Sequence, residues 1–366
     1  MRRLRAPTTL ALTLVAAAAC SKPDEPAQDG KTKTAKAEAS KPAADGKAET
    51  PESKAVPEPA KPAPTPAPAL VELVPEGAKA LVVIDMGGLV GSELYKQQSA
   101  ALESSPLGKN VASARACTLG PETWTQAVMG VDPQADGAVL VGVEAPGAGK
   151  KETLECITAK YKEADPRADW TLADEGGRVV VTVGGGEAKI YGVDDDTLAI
   201  AGQPWIAAVD ERLAGKGKAA VVSSLAEAMA LAPTGKTVIF ASLAPDDMTG
   251  GMLEGAKAVA GALDFSAGLA LSVTASFGDA GAAKAKADEL DEQFKGLSPL
   301  AAGMGVPQPV LDSVTIEAKD ANLVLGVRAS AADATTLGQS LMSAFAPEEV
   351  AMPAQPLAEV PAVVGP

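Results

Sequence analysis

From residue 71 to about residue 345, short runs rich in Val, Ile, Leu and Thr alternate with Ala-rich stretches whose apolar residues recur every three or four positions. Residues 79–86, 137–144, 178–183 and 187–201 carry the extended runs, with Gly184, Gly185 and Gly186 supplying a hairpin turn between the last two. The order then recurs: 237–243, 267–277, 313–318 and 323–329 follow, the last pair joined around Asp320 to Asn322. Helical periodicity over 150–164 and 280–296 follows the second strand of each set, and 204–213 and 331–345 close each set. The recurrence predicts an internal duplication.

Within the helix near Ala283, the apolar residues Ala283, Ala287, Leu290, Phe294 and Leu297 fall at three- and four-residue steps, while Lys284, Lys286, Asp288, Glu289 and Asp291 point elsewhere. One face is therefore built for burial. Alternation of Val, Thr and Ile in the hairpin strands implies sheets covered on one side. The expected fold is α+β, with two similar halves at 71–218 and 219–345, each a largely antiparallel sheet with helices on one face.

Outside this region the pattern breaks down. Residues 20–70 are almost entirely Lys, Ala, Pro, Glu, Asp, Thr and Ser, too poor in apolar residues to fold, and read as a disordered tether with a contour of roughly 150 Å at about 3.1 Å per residue. Pro347, Pro353, Pro356, Pro361 and Pro366 forbid a long helix and mark 346–366 as a Pro-rich irregular tail. At the start, Arg2, Arg3 and Arg5 precede Leu10, Leu12, Leu14 and Val15, which run into Ala16 to Ala19; residues 1–19 read as a signal peptide. The apolar stretch is too short for a stable span, which needs about 20 apolar residues.

Ala17-Ala18-Ala19 satisfies the small-x-small rule of ordinary secretory signals, and cleavage there leaves Cys20 as a free terminal residue. The same run with Cys20 resembles the lipobox of bacterial lipoproteins, with Ala17 where that family most often has Leu. The resemblance implies acylation of Cys20 and permanent attachment to a lipid bilayer at the cell envelope, since each buried methylene contributes about 0.8 kcal/mol. Ser21 after the Cys implies, by resemblance to enteric lipoproteins, the outer rather than the inner membrane.

Composition narrows the chemistry. Aromatics are 3% against 46% hydrophobic residues, so the core must pack small aliphatic side chains. The net charge of -15 and the lack of clustered Lys and Arg argue against nucleic acid as a partner. There is no His, which removes the commonest proton shuttle and metal ligand near neutral pH. Cys117 and Cys156 form an even pair in an exported chain and read as a disulfide, with two buried thiols as the other reading.

Candidate motifs weaken on inspection. Gly235-Lys236-Thr237 ends like a P-loop, but Ala230 replaces the first Gly and a strand follows. Gly147-Ala148-Gly149-Lys150 precedes a helix, yet Glu144 stands where the motif needs Gly. Asp194-Asp195-Asp196 offers oxygens to Ca²⁺ but reads better as a hairpin tip, and Asp246-Asp247 reads as a helix cap. Trp124, Trp170 and Trp205 read as core anchors. No catalytic residue, cofactor motif or metal site is identified. The expected function is a membrane-anchored envelope component that binds or assembles, with an envelope protein as candidate partner. A His-independent hydrolase and a small-ligand carrier using a cleft between the halves are the alternatives.

Overall fold

The computed structural model describes residues 69–337, apart from 104–105, 165, 167–168 and 244–251. The signal peptide, Cys20, the tether to residue 68, Asp246-Asp247 and the tail lie outside the described residues. The chain is a mixture of helices and antiparallel sheet, divided into two compact units. The first contains the described residues to Val90 and Ser99–Ala230; the second contains Gly91–Gln98 and the chain from Leu231.

In the first unit, β1 (Ala80–Asp85), β2 (Gln126–Val131) and β3 (Val139–Glu144) form a meander; between β1 and β2 the chain forms α1 (Met86–Gly91), α2 (Glu93–Glu103) and α3 (Pro106–Ala116), of which the stretch Gly91–Gln98 belongs to the second unit. After α4 (Lys151–Ala164) come β4 (Trp170–Glu175), β5 (Arg178–Val183), β6 (Ala188–Gly192) and β7 (Thr197–Gly202), then α5 (Ile206–Leu213) and α6 (Ala226–Leu231). The strand order is β1-β2-β3-β7-β6-β5-β4, with β7 returning against β3 so that Val141 faces Ile200. The 187–201 run is therefore two strands, turned at Asp194 to Asp196.

One expectation fails here. Every residue of β7, and all of β3 except Glu144, is buried, so these strands are covered on both faces rather than one. Val141 and Val143 lie under α4, while the intervening Gly142 meets Leu70 of a short 3₁₀ turn at Leu70–Leu73. A Cβ at Gly142 would stand 2.2 Å from Leu70 Cδ1, so only Gly lets that turn lie on the sheet. Continuous burial follows from this second layer, and an alternating pattern does not register it. A disulfide between Cys117, just after α3, and Cys156 in α4 ties together the segments covering the first face.

The second unit runs β8 (Val238–Leu243), β9 (Ala258–Asp264), β10 (Leu269–Ser276), α7 (Ala280–Gly303), α8 (Gln308–Asp312), β11 (Thr315–Lys319), β12 (Asn322–Ala329) and a helix, α9, over 331–337. Its strand order is β8-β9-β10-β12-β11, all antiparallel. Asp279 caps α7 by accepting the amide of Ala282 at 2.9 Å. The expected end of this helix at Gly296 is overrun: it continues through Pro299 to Gly303.

Candidate functional site

Helix α7 positions the most distinctive surface of the second unit. Its polar side is laced by the ion pairs Lys284–Asp288, Asp291–Lys295 and Lys286–Glu289, which support an exposed helix. Its apolar stripe starts in the core. Ala283, Ala287 and Leu290 are 0%, 6% and 7% exposed and pack with Val259, Ala275, Phe277 and Leu323. Phe294 is half-buried, and beyond it Leu297, Leu300 and Met304 are 59%, 60% and 66% exposed. The spacing of apolar residues continues while the burial does not.

Where α7 loses its cover, a groove of about 280 Å³ opens against the sheet. Its floor is Leu271 and Val273 of β10, Leu325 and Val327 of β12 and Ile316 of β11; Phe294, Leu297 and Met252 form its walls. Odd-numbered residues of β10 and β12 share one sheet face, so the groove is an uncovered strip of a face that is otherwise covered. At one end lies the cluster under the first half of α7. At the other, Val310 of α8, Ala334 of α9 and Ala329 are buried together, with Leu94, Leu269, Val306, Val327 and Leu337 packed against them. Gln293 and Thr315 are the polar side chains of the lining, and no titratable group contributes to it. Such a lining binds apolar groups by excluding water and supplies no acid or base.

The structure brings two sequence motifs of the first unit together. The Gly147 amide donates to the Asp196 carboxylate at 2.7 Å, Gly149 N–H to the Asp195 carbonyl at 3.1 Å, and Ala145 N–H to the Asp196 carbonyl at 2.8 Å. A Cβ at Gly149 would stand 1.8 Å from the Asp194 carbonyl oxygen. The glycines thus permit a close approach of two loops, and the amides that would face a phosphate in a P-loop are engaged by an acidic turn. The three carboxylates do not converge either: among the described residues no group of three or more His, Cys, Asp or Glu is placed to hold a metal. Nearby, Lys150, Lys151 and Arg178 border a recess of about 380 Å³ together with Glu152, Asp194 and Asp195, which balance their charge.

The remaining candidates are structural. Lys236 pairs with Asp264 at 2.8 Å, and Thr237 Oγ1 accepts the Phe265 amide, so Gly235-Lys236-Thr237 is a turn locked to the end of β9. The Lys236 hydrogen bond, reinforced by Ser266, holds the Asp264 carboxyl well below the usual carboxylate range. Trp124, Trp170 and Trp205 are all buried; Trp124 donates to the Leu119 carbonyl, and Trp170 stacks on Tyr161 with ring centroids 5.3 Å apart. Burial pushes the Tyr161 hydroxyl up to about 12. Beneath α4, Trp124, Val141, Ile157 and Tyr161 border an apolar fissure of only about 30 Å³. The groove beside α7 was the feature sequence reasoning missed, although the stripe leading into it was named.

No family model matches this chain, and no curated protein matches it. Among solved structures, crystal form III of TP0453 is 11% identical, with 74% of this chain and 96% of that chain covered at a TM-score of 0.46. Crystal form I is 10% identical, with 77% and 98% covered at 0.45, and crystal form IV is 10% identical, with 73% and 95% covered at 0.42. Likenesses at this level leave function to be read from the chain's own geometry.

Proposed function

We propose that this chain is an envelope lipoprotein, held at a membrane by acylated Cys20, that works by docking an amphipathic helix of another envelope protein in the groove beside α7. The carrying observation is the α7 stripe itself. Phe294, Leu297, Ala301 and Met304 keep alternating steps of three and four residues as the stripe passes from half-buried Phe294 to exposed Leu297 and Met304, and a helical partner presents anchors at the same steps. The groove, at about 280 Å³, falls just below the range of pockets that engulf a ligand, which run from about 300 to 1,000 Å³. An open strip flanked by an exposed helix edge favours a rod laid along it.

The tether accounts for the reach of such a component: it lets the folded region meet partners well beyond its own membrane, and Ser21 favours the outer one by the enteric resemblance. No helix among the described residues is long and apolar enough to cross a membrane, so in this reading attachment falls to Cys20. The two units read as related copies. Each has a three-strand meander, a helix, and a final strand paired against the third; β4 and β5 are an extra hairpin in the first unit.

Photo-crosslinking in intact cells tests the docking. A photoreactive residue replacing Leu297 should capture a discrete envelope protein, while the same residue replacing Val222, 72% exposed in the first unit, should not. Equal capture at both positions, or none at Leu297, would overturn the reading.

A further inference from the structure

We infer that β11, the outermost strand of the second unit's sheet, pairs antiparallel with β11 of a second copy of this chain, about a two-fold axis centred on Ala318. The inference goes beyond the docking reading, because it concerns the edge of the sheet rather than the groove. Among the described residues no strand lies outside β11. Thr315, Glu317, Ala318 and Lys319 are exposed, the pairing with β12 is continuous, and no Pro or bulge blunts the strand.

Backbone direction limits what can be added there. Ser313 Oγ accepts the Arg328 amide at 2.9 Å and lies 2.7 Å from the Arg328 carbonyl oxygen, so both backbone groups of Arg328 turn toward the β11 side. Backbone groups alternate in direction along a strand, so Gly326, Val324 and Asn322 turn the same way and engage Thr315, Glu317 and Lys319. The N–H and C=O groups of Ile316 and Ala318 are left pointing outward.

Charge then selects the register. In an antiparallel two-fold pair centred on Glu317 that carboxylate meets its own copy, and centred on Lys319 the two ammonium groups meet; like charges directly opposite are destabilising. Centring on Ile316 calls on Val314, whose amide is already bonded to the Leu311 carbonyl. Centred on Ala318, the two Ala318 residues exchange hydrogen bonds through their outward groups, and Glu317 of each copy faces Lys319 of the other. Those two ion pairs fall at non-hydrogen-bonded positions, where side chains approach most closely. Glu317 and Lys319 are 54% and 64% exposed, and can turn from their own 3.0 Å pair to the copy's. The edge strand of the first unit, β4, offers no such match, since its charged residues are Asp174 and Glu175 alone.

A two-fold axis normal to the sheet keeps both α7 helices, and so both docking grooves, on the same side of the joined sheet. Two short strands make a weak contact in solution. Acylation of both copies at one membrane, as proposed above, supplies the local concentration it needs.

The test uses the full chain in intact cells. Residues paired at a hydrogen-bonded antiparallel position have Cα atoms about 5.5 Å apart, within the span of roughly 4.4–6.8 Å that a disulfide bridges. Ala318→Cys should therefore give a disulfide-linked dimer on a non-reducing gel, while Thr315→Cys, whose mates lie about 20 Å apart in this register, should not. In the Ala318→Cys chain, Glu317→Lys alone or Lys319→Glu alone should lower the dimer on the order of tenfold. Co-expressed with different tags, those two chains present only opposite charges to each other, and the mixed dimer should return. Bridging by Ala318→Cys no greater than by Thr315→Cys, or charge variants that dimerise as well alone as together, overturns the pairing; capture at Leu297 tests the docking reading separately.

Discussion

Leu290 and Leu297 lie two turns apart on one stripe of α7, yet the first is 7% exposed and the second 59%. The same residue type, on the same face of the same helix, serves the core at one position and the surface at the other. Leu290→Ala should cost about 2–5 kcal/mol, because its neighbours close a packed cluster around it. Leu297→Ala should change stability by less than about 0.5 kcal/mol. Urea titration of both variants decides this; comparable losses would mean that the helix is covered along its whole length.

Two glycines divide in the opposite way. Gly149→Ala places a Cβ against the Asp194 carbonyl oxygen and should destabilise the first unit by roughly 1–3 kcal/mol, the usual range for overpacking. Gly296, inside α7, has nothing within 4 Å of an added Cβ. Gly296→Ala should therefore stabilise by about 0.5–1 kcal/mol through helix propensity. Thermal melts that fail to separate the two substitutions in sign would refute the loop contact.

The bond between Cys117 and Cys156 closes a loop of sequence separation 39. In the chain-entropy model such a closure contributes about 4 kcal/mol. Reductant should shift the denaturation midpoint of the wild-type chain downward and leave a Cys117→Ala, Cys156→Ala chain unmoved. A midpoint indifferent to reductant would show that the bridge does not constrain the unfolded chain as expected.

Acid should weaken the second unit through Asp264. Its folded pKa is depressed from 3.8, chiefly by the Lys236 hydrogen bond, so the contribution is present above the unfolded value and is lost as pH falls through the folded one. At pH 7 Asp264→Asn should cost only about 0.5–1 kcal/mol, because Lys236 is 41% exposed and the pair is screened. Stability measured from pH 6 down to pH 2 should fall less steeply in the variant than in the wild-type chain; parallel curves would remove Asp264 from the acid response.

Secondary structure was legible where the residues were strong formers. The runs of Val and Leu in β3, β5 and β12 and the stripe of α7 stand in the sequence as they stand in the fold. The second strand of each unit was missed, and for one reason. In β9 Ala and Gly, residues with little β preference, make up most of the strand, and in β2 Ala127 and Gly130 interrupt the run of larger residues; larger neighbours lie over the glycines. Gly130 makes room for Val74, and Gly261 for Phe240. The helices between β1 and β2 were missed as well, with Ser, Gly and Gln diluting their periodicity.

By itself the sequence determined what local chemistry controls. It set which residues favour helix or strand, where Gly and Pro end them, which two cysteines were left to pair, and the signal-like pattern at the start. Tertiary structure alone decided which faces are covered, because burial depends on segments distant in sequence. Leu70 closes over Gly142, and Asp196 takes the amide of Gly147. The α7 stripe repeats without interruption, so its spacing cannot tell Leu290 from Leu297. That difference exists only because the sheet, α8 and α9 leave one strip of the face open.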